Sequence, residues 1–157
     1  MARKWTASGE QLKPDPKYNS KLVAKFINCM MWQGKKSVTQ RILYEAMDII
    51  SKKMKDTTVI EVFETAVNNV KPLLEVRSKR IGGASYQVPM QVRPKRQQSL
   101  AFRWIIQSAR SKTGKPMCER LAAELIDAYN RHGGAMTTRE NIHRMAEANK
   151  AFAHFAW

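Results

Sequence analysis

The stretch EVRSKRIGGASYQVPMQVRPKR, residues 75–96, differs from the sequence on either side of it. Two sets of side chains alternate as they do along extended strands: Val76, Ser78 and Arg80 with Arg77 and Lys79, and Tyr86, Val88, Met90 and Val92 with Gln87, Pro89 and Gln91. Gly82 and Gly83 stand between these two runs, and glycine readily adopts the left-handed backbone that a two-residue hairpin turn requires. The stretch therefore predicts a two-stranded β-hairpin over about residues 74–92.

Helical spacing takes over before the hairpin, where apolar residues recur every three or four positions. Three helices are predicted there, and the third begins with a capping box formed by Thr58 and Glu61 and ends before Pro72. The predicted apolar faces are Leu22, Phe26, Cys29 and Met30 in the first helix, Val38, Ile42, Ala46, Ile49 and Ile50 in the second, and Val59, Val62, Phe63, Ala66, Val67 and Val70 in the third.

Helical spacing also follows the hairpin and predicts three further helices. The fourth has its apolar face at Leu100, Trp104 and Ile105, and the fifth has Pro116 in its first turn. A capping box of Thr137 and Glu140 is predicted to start the sixth, whose apolar residues are Ile142, Met145 and Ala146.

These elements predict a mainly α fold, in which a single bundle of about six helices carries one projecting β-hairpin and has basic and aromatic terminal tails. One domain is expected over residues 1–157, a length that is ordinary for one domain. Its expected parts are a basic N-terminal arm (1–18), helices one to three (19–72), the hairpin (73–93), helices four to six (95–149) and a C-terminal tail (150–157).

Positive charge is concentrated in two parts of the chain, whose net charge is +15. Residues 1–55 hold 12 basic and 4 acidic side chains, and residues 71–115 hold 11 and 1, whereas residues 56–70 are acidic and residues 116–157 are balanced. No acid interrupts the run from Arg77 to Arg110. Focused positive charge beside neutral segments is typical of a protein that binds a polyanion, and nucleic acid is the leading candidate.

Two interpretations of the basic elements stay open at this point. The hairpin either projects to lie against RNA or folds back to cover the bundle with Tyr86, Val88, Met90 and Val92. Lys35 and Lys36, in a loop after Gly34 with Trp32 beside them, fit an ordinary surface turn as well as an RNA contact.

Enzymatic motifs are absent from the sequence. It contains no GxGxxG, GxxxxGK[ST], GxSxG or HExxH, so we expect no enzyme activity and no cofactor. Glu140 and His143 form one ExxH motif, which is too little for a metal site in a helical bundle.

The sequence also suggests the compartment. Cys29 and Cys118 are far apart and belong to no CxxC pair, and both are expected to be buried reduced thiols on apolar helix faces. The opening MARKWTASGEQLKPDPK is polar and does not resemble a signal peptide, and no apolar run is long enough for a membrane. We expect the chain to remain in the compartment where it is made, with no membrane partner.

Taken together, the motifs closely resemble the small-subunit ribosomal protein S-seven family, bacterial type, over nearly the whole chain. The resemblance is carried by PDPKYNSKLVAKFIN with GKK at 34–36, ILYEA at 42–46, EVFETAVNNVKPLLEVRSKRIGGASYQVPMQVRP at 61–94, ERLAAELIDA at 119–128 and the terminal MAEANKAFAHFAW. The two cysteines and the KTGKP loop at 112–116 depart from what we expect of the family.

The resemblance implies a structural role without enzyme activity. It implies binding to the 3′ domain of small-subunit ribosomal RNA, help in assembling the head of that subunit, contact with neighbouring head proteins, and a place beside exit-site transfer RNA and messenger RNA. Some members repress translation of their own operon. Ribosomal RNA contacts are implied at Arg3, Lys4, Lys35, Lys36, Arg77, Lys79, Arg80, Arg93, Lys95, Arg96 and Arg103. The side facing transfer RNA is implied at Gly82, Gly83, Ala84, Ser85, Tyr86, Lys150, Phe155 and Trp157.

Composition alone leaves a second function open, namely a free nucleic-acid-binding regulator or architectural protein. For the ribosomal function, the resemblance favours the bacterial cytoplasm, with a plastid as the second candidate.

Overall fold

A computed structural model of the chain describes residues 12–155. In chain order, this part contains α1 (Lys21–Met30), α2 (Lys36–Lys53), α3 (Val59–Val70), β1 (Leu74–Ile81), β2 (Ala84–Gln91), α4 (Pro94–Ser111), α5 (Met117–Tyr129), α6 (Gly134–Ala148) and a C-terminal 3₁₀ helix (Lys150–Phe155). The prediction of a mainly α fold with one hairpin is confirmed. Arg3, Lys4 and Trp157 lie outside the described residues.

The core forms where α1, α3 and α4 meet. The fully buried ring of Phe26 contacts Phe63 and Phe102 edge to face, with ring centroids 5.3 and 5.2 Å apart. Such edge-to-face pairs add to the stabilisation that burial of the rings provides. The helix α5 packs against α2, α3 and α4 and contributes Leu121 and Leu125, which are also fully buried.

The predicted helix boundaries are right for α3 and wrong for α6. Thr58 and Glu61 form the predicted capping box. Thr137 does not start α6, because the helix begins three residues earlier at Gly134 and the Thr137 hydroxyl donates to the carbonyl of Gly133. The fourth helix begins at Pro94, one residue before the predicted start at residue 95, and the missing N–H of proline costs no hydrogen bond in this first turn.

Three apolar or thiol side chains predicted to be buried are exposed instead. Val38 is 43% exposed and Met145 is 51% exposed. Cys29 is exposed and Cys118 is half-buried. In α2 the buried face is Thr39, Leu43, Ala46, Met47 and Ile50, so the inward face is rotated by one position from the predicted one. Both faces satisfy helical spacing, and the neighbouring helices determine which of them is covered.

The junction of α5 and α6 is built around a buried carboxylate that the sequence did not reveal. Glu124 accepts a hydrogen bond from the backbone N–H of Ala135 at 2.9 Å and forms an ion pair with Lys112 at 2.8 Å. Gly133 has a φ of +93°, and a Cβ atom there would lie 2.9 Å from the Cβ of Asp127. A negative side chain at the start of α6 stabilises the helix, and the glycine allows the close approach.

The last residues of the predicted N-terminal arm are attached to the bundle. Asp15 is 3% exposed, and its carboxylate accepts a hydrogen bond from the Tyr44 hydroxyl of α2 at 2.7 Å. The same carboxylate accepts from the backbone N–H groups of Lys17 and Tyr18. Burial and this hydrogen bond raise the pKa of Tyr44 to about 12. Residues 12–18 therefore belong to the folded body.

No helix within residues 12–155 is long and apolar enough to cross a membrane.

Candidate nucleic-acid interface

The hairpin has the predicted form, and its register separates its basic side chains. Gly82 and Gly83 form the turn with positive φ values of 55° and 90°, and the strands pair antiparallel from Leu74 opposite Gln91 to Ile81 opposite Ala84. Because alternate side chains point to opposite faces, Arg77 and Lys79 share one face and Arg80 lies on the other. The three residues were predicted as one RNA-contacting set, but they do not form a single patch.

One face of the hairpin is covered by the C-terminal 3₁₀ helix. The Tyr86 ring lies 5.3 Å from both Phe152 and Phe155, measured between ring centroids. Lys79, directly opposite Tyr86, donates a hydrogen bond to the carbonyl of Phe155 at 2.8 Å. We call Tyr86, Phe152 and Phe155 the aromatic cluster. The structure thus brings together the two segments that were predicted to face transfer RNA.

The base of the hairpin is attached to α6. The backbone N–H of Leu73 donates to Nε2 of His143 at 3.1 Å, so this nitrogen carries no proton. Burial, together with the charge of Arg139, lowers the pKa of His143. The histidine of the ExxH motif is thus the acceptor of the hydrogen bond that attaches Leu73 to α6. Residues 12–155 contain no cluster of metal-binding side chains.

Both interpretations of the hairpin describe part of it. Val88 is completely buried, and the strands contact α6 and the 3₁₀ helix on one face. The turn and the opposite face are exposed at Ser78, Arg80, Ser85 and Gln87. The hairpin is therefore supported from one side and open to a partner on the other.

Glu75 holds two of the predicted RNA-contacting arginines at the base of the hairpin. Its carboxylate pairs with Arg77 at 2.6 Å and with Arg96 of α4 at 2.8 Å. The Glu75 side chain is only 12% exposed, whereas both arginines are more than 40% exposed. The one acid of residues 71–115 therefore orients arginines whose guanidinium groups still reach solvent.

A stripe of polar and basic side chains continues from this point along α4. Helical geometry places Arg96, Ser99, Arg103, Gln107 and Arg110 on one side of the helix, over a length of about 21 Å. We call these residues the α4 stripe. Four of them line an open groove of about 620 Å³ together with Lys25 and Cys29 of α1. Although Cys29 as a residue is exposed, partial desolvation of its thiol beside this groove raises the pKa of that thiol.

The far end of the α4 stripe reaches the loop between α1 and α2. The guanidinium carbon of Arg110 lies 4.4 Å from the centre of the Trp32 ring, and the same guanidinium donates to the carbonyl of Met30 at 2.8 Å. Lys35 and Lys36 are exposed beside Trp32. Lys36 was predicted in a loop but is the first residue of α2, with Lys35 at the N-cap.

Helices α2 and α4 begin with basic residues and have no side-chain cap, which is unfavourable for a helix alone. Arg93 stands at the N-cap of α4, with Lys95 and Arg96 in its first turn, and Lys35 and Lys36 stand at the start of α2. Neither first turn contains an acid, and neither N-cap side chain forms a capping hydrogen bond. The positive end of a helix dipole favours anions, so these two starts favour a bound phosphate.

Three residues of this surface were not among the predicted contacts. Lys25, Arg110 and Trp32 are brought to the same surface by the packing of α1 against α4. Seven-residue spacing of Arg96, Arg103 and Arg110 was visible in the sequence and could have identified the stripe. Lys25 could not be found in this way, because its neighbours across the groove are 74 or more positions away.

The sequence of the chain matches a known protein family. The model of the ribosomal protein S7p/S5e family matches residues 2–150. The chain belongs to this family. Its resemblance to the family, stated from the motifs, is confirmed, and membership in a family of structural proteins also confirms that it is not an enzyme.

Curated relatives support the same assignment over whole chains. The chain is 58% identical over 153 residues to the small ribosomal subunit protein uS7 of Rhodopirellula baltica, covering 97% of this chain and 98% of the relative. It is 57% identical to uS7 of Caldanaerobacter subterraneus and 53% identical to uS7 of Desulfotalea psychrophila, each over the full length of both chains. The family assignment therefore rests on the whole sequence, hairpin and tail included.

Proposed function

We propose that the chain is a structural component of the small ribosomal subunit that binds the 3′ domain of its ribosomal RNA. One observation carries this proposal: the α4 stripe joins the base of the hairpin to the loop at Lys35 and Lys36 in one continuous basic surface. The relatives are all named as small ribosomal subunit proteins, which supports the small subunit as the assembly that contains this surface.

The surface is better suited to binding the phosphates of folded RNA than to binding a free acidic protein. Its charge is distributed over about 21 Å of helix α4, and each end meets a helix start at which backbone N–H groups and basic side chains favour phosphate. Folded RNA presents phosphates at junctions and across grooves, and proteins recognise it largely by that shape. Basic contacts are proposed at Lys35, Lys36, Arg77, Lys79, Arg80, Arg93, Lys95, Arg96 and Arg103, with Lys25 and Arg110 added from the groove beside α4.

The hairpin tip and the tail are proposed as the side that faces exit-site transfer RNA and messenger RNA. In support, the aromatic cluster fixes the 3₁₀ helix against β2, so that residues 82–86 and Lys150 are parts of one rigid structure. The exposed turn can approach a nucleic-acid backbone closely because Gly82 and Gly83 carry no side chains. Arg3, Lys4 and Trp157 remain proposed contacts from the resemblance alone.

Assembly of the subunit head, contact with neighbouring head proteins and repression of the chain's own messenger are proposed from the family resemblance. The relatives reported above are bacterial, which supports the bacterial cytoplasm over a plastid.

The proposal can be tested by measuring the affinity for a transcribed 3′-domain fragment as salt is raised. Each neutralised phosphate releases about 0.7–0.9 counterion, so six to ten contacts cost about a thousandfold or more in affinity between 50 and 200 mM salt. A dependence this steep is expected for the fragment. An affinity that does not change with salt would contradict binding through the basic surface.

The alternative, a free nucleic-acid regulator, makes a different prediction. A ribosomal component should co-sediment with small subunits after a high-salt wash, because many contacts and neighbouring proteins hold it. A free regulator should be washed off, since its binding depends mainly on counterion release.

A further inference from the structure

Trp32 is the most exposed large apolar side chain among the described residues. It is 68% exposed, whereas a tryptophan ring usually stabilises a protein by being buried. Its neighbours in the groove are Met30, Val38, Ile42 and Met117, together with Lys35 and Arg110. A ring of this size, held at the edge of a basic surface, requires an explanation that the rest of the proposed interface does not give.

The backbone holds Trp32 in a fixed position relative to the two lysines. The N–H of Lys35 donates to the carbonyl of Trp32 at 3.0 Å, closing a turn over Gln33 and Gly34, whose φ values are +52° and +73°. Two successive left-handed residues are typical of a tight type I′ turn. Lys35 and Lys36 follow this turn directly, and Lys35 lines the same groove as the ring.

Arg110 supports the ring from one side. Its guanidinium carbon lies 4.4 Å from the ring centre, and its hydrogen bond to the Met30 carbonyl fixes the guanidinium in turn. A cation over one face of an aromatic ring is attractive. With one face supported and most of its surface in solvent, Trp32 presents a flat apolar surface between positive charges.

We propose that Trp32 is a stacking platform for an unpaired nucleotide base, with Lys35 and Lys36 binding the phosphates that flank it. This inference rests on the proposed RNA-binding function and names the chemistry of one site within it. Unstacked bases of folded RNA stack on aromatic side chains, and the stacking tolerates any base because every base has a π face. An acidic protein segment fits the lysines but gives no reason for a flat ring supported by a cation.

The test compares Trp32→Ala with Trp32→Phe on the 3′-domain fragment. Loss of one base stack should weaken binding about five- to a hundredfold, while phenylalanine, which also offers an aromatic face, should retain most of the affinity. Val38→Ala is the matched control, since it removes exposed apolar surface from the same groove without removing an aromatic ring. Trp32 is 68% exposed and lies outside the buried core, so all three variants should remain folded, which circular dichroism verifies.

The salt dependence separates the two halves of the site. Trp32→Ala should lower affinity at every salt concentration without changing the slope, whereas Lys35→Gln with Lys36→Gln should reduce the slope by about 1.4–1.8. Binding of the fragment should also quench the fluorescence of Trp32 in a chain whose Trp5 and Trp157 are replaced by phenylalanine. Trp104 is 8% exposed and should not respond.

Several results would overturn the proposal. If Trp32→Ala binds the fragment as tightly as the unaltered chain, with a steep salt dependence in both, the stacking platform is wrong while RNA binding stands. The same conclusion follows if the variant weakens only the retention of a neighbouring protein in reconstituted subunits. If the unaltered chain does not bind the fragment at all, the proposed function itself fails, and the platform fails with it.

Discussion

Tyr86 of β2 packs against Phe155 of the C-terminal 3₁₀ helix, with ring centroids 5.3 Å apart and ring planes inclined by 43°. The two residues are 69 positions apart in the sequence. The hydrogen bond from Lys79 to the Phe155 carbonyl reinforces the contact from the neighbouring strand. The hairpin therefore determines where the tail lies, and the tail in turn covers one face of the hairpin.

We expect Tyr86→Ala to release the tail without unfolding the bundle. Aromatic pairs contribute about 0.5–1.5 kcal/mol beyond their buried area, and the main core lies elsewhere. Hydrogen exchange of residues 150–155 should become faster, while the thermal midpoint changes by only a few degrees. Tyr86→Phe keeps the ring and serves as the control. Unchanged exchange in the alanine variant would show that other contacts hold the tail.

Replacing residues 79–86 by Asn-Gly tests whether the distal hairpin serves a partner. Ser78 and Gln87 are directly paired, so a two-residue turn can join them without changing the register of the remaining strands. Thermal unfolding should shift little, and assembly into small subunits should survive in part. Retention of exit-site transfer RNA and maintenance of the reading frame should be impaired. If the shortened chain unfolds, or its ribosomes retain both functions, the distal hairpin serves the fold.

Charge reversal should show that position matters more than net charge. Changing Arg93, Lys95 and Arg96 to glutamate reverses the charge at the start of α4, where we propose that phosphate binds, and binding to the 3′-domain fragment should be abolished. The matched control changes Lys52, Lys55 and Arg144, which are exposed on other parts of the molecule, to glutamate. It alters the net charge by the same amount and should weaken binding much less. Equal losses in a titration would mean that bulk charge controls binding.

Gly133→Ala should destabilise the chain more than Gly114→Ala. Both glycines have positive φ values, +93° and +82°, so an alanine strains the backbone at each site. Only at Gly133 does the new Cβ approach another side chain, Asp127, at 2.9 Å. Overpacking of this kind costs about 1–3 kcal/mol, or about 2–12 °C in the thermal midpoint. Equal midpoints would show that the α5–α6 junction can relax.

Stability should fall as the pH is lowered below about 6.5, because His143 must stay neutral to accept from Leu73. The folded state lowers the pKa of His143, so the unfolded chain binds the proton first. The stabilisation is complete above the unfolded pKa of 6.5 and is lost as the pH falls through the lower folded pKa. Denaturant titrations from pH 7.5 to 5.5 should show this loss, and His143→Gln should reduce it. An identical pH dependence in the variant would assign the effect to other groups.

The sequence determined the elements themselves. The alternation around Gly82 and Gly83 predicted a hairpin whose observed turn uses those two glycines, and the capping box at Thr58 and Glu61 placed the start of α3. These signals are local, since a turn type and a helix cap depend on a few successive residues. The charge run from Arg77 to Arg110 likewise predicted which part of the chain would carry the basic surface.

The tertiary structure decided which side of each element is covered and which distant residues meet. Val38 and Cys29 satisfy helical spacing but lie outside the covered faces, because burial depends on where the neighbouring helices pack. Glu75 orients Arg96, and Arg110 supports Trp32 across 78 positions of sequence. Such contacts follow from the packing of α1, α4 and the hairpin. A local pattern of residues cannot predict them, because the side chains come close only once the whole chain has folded.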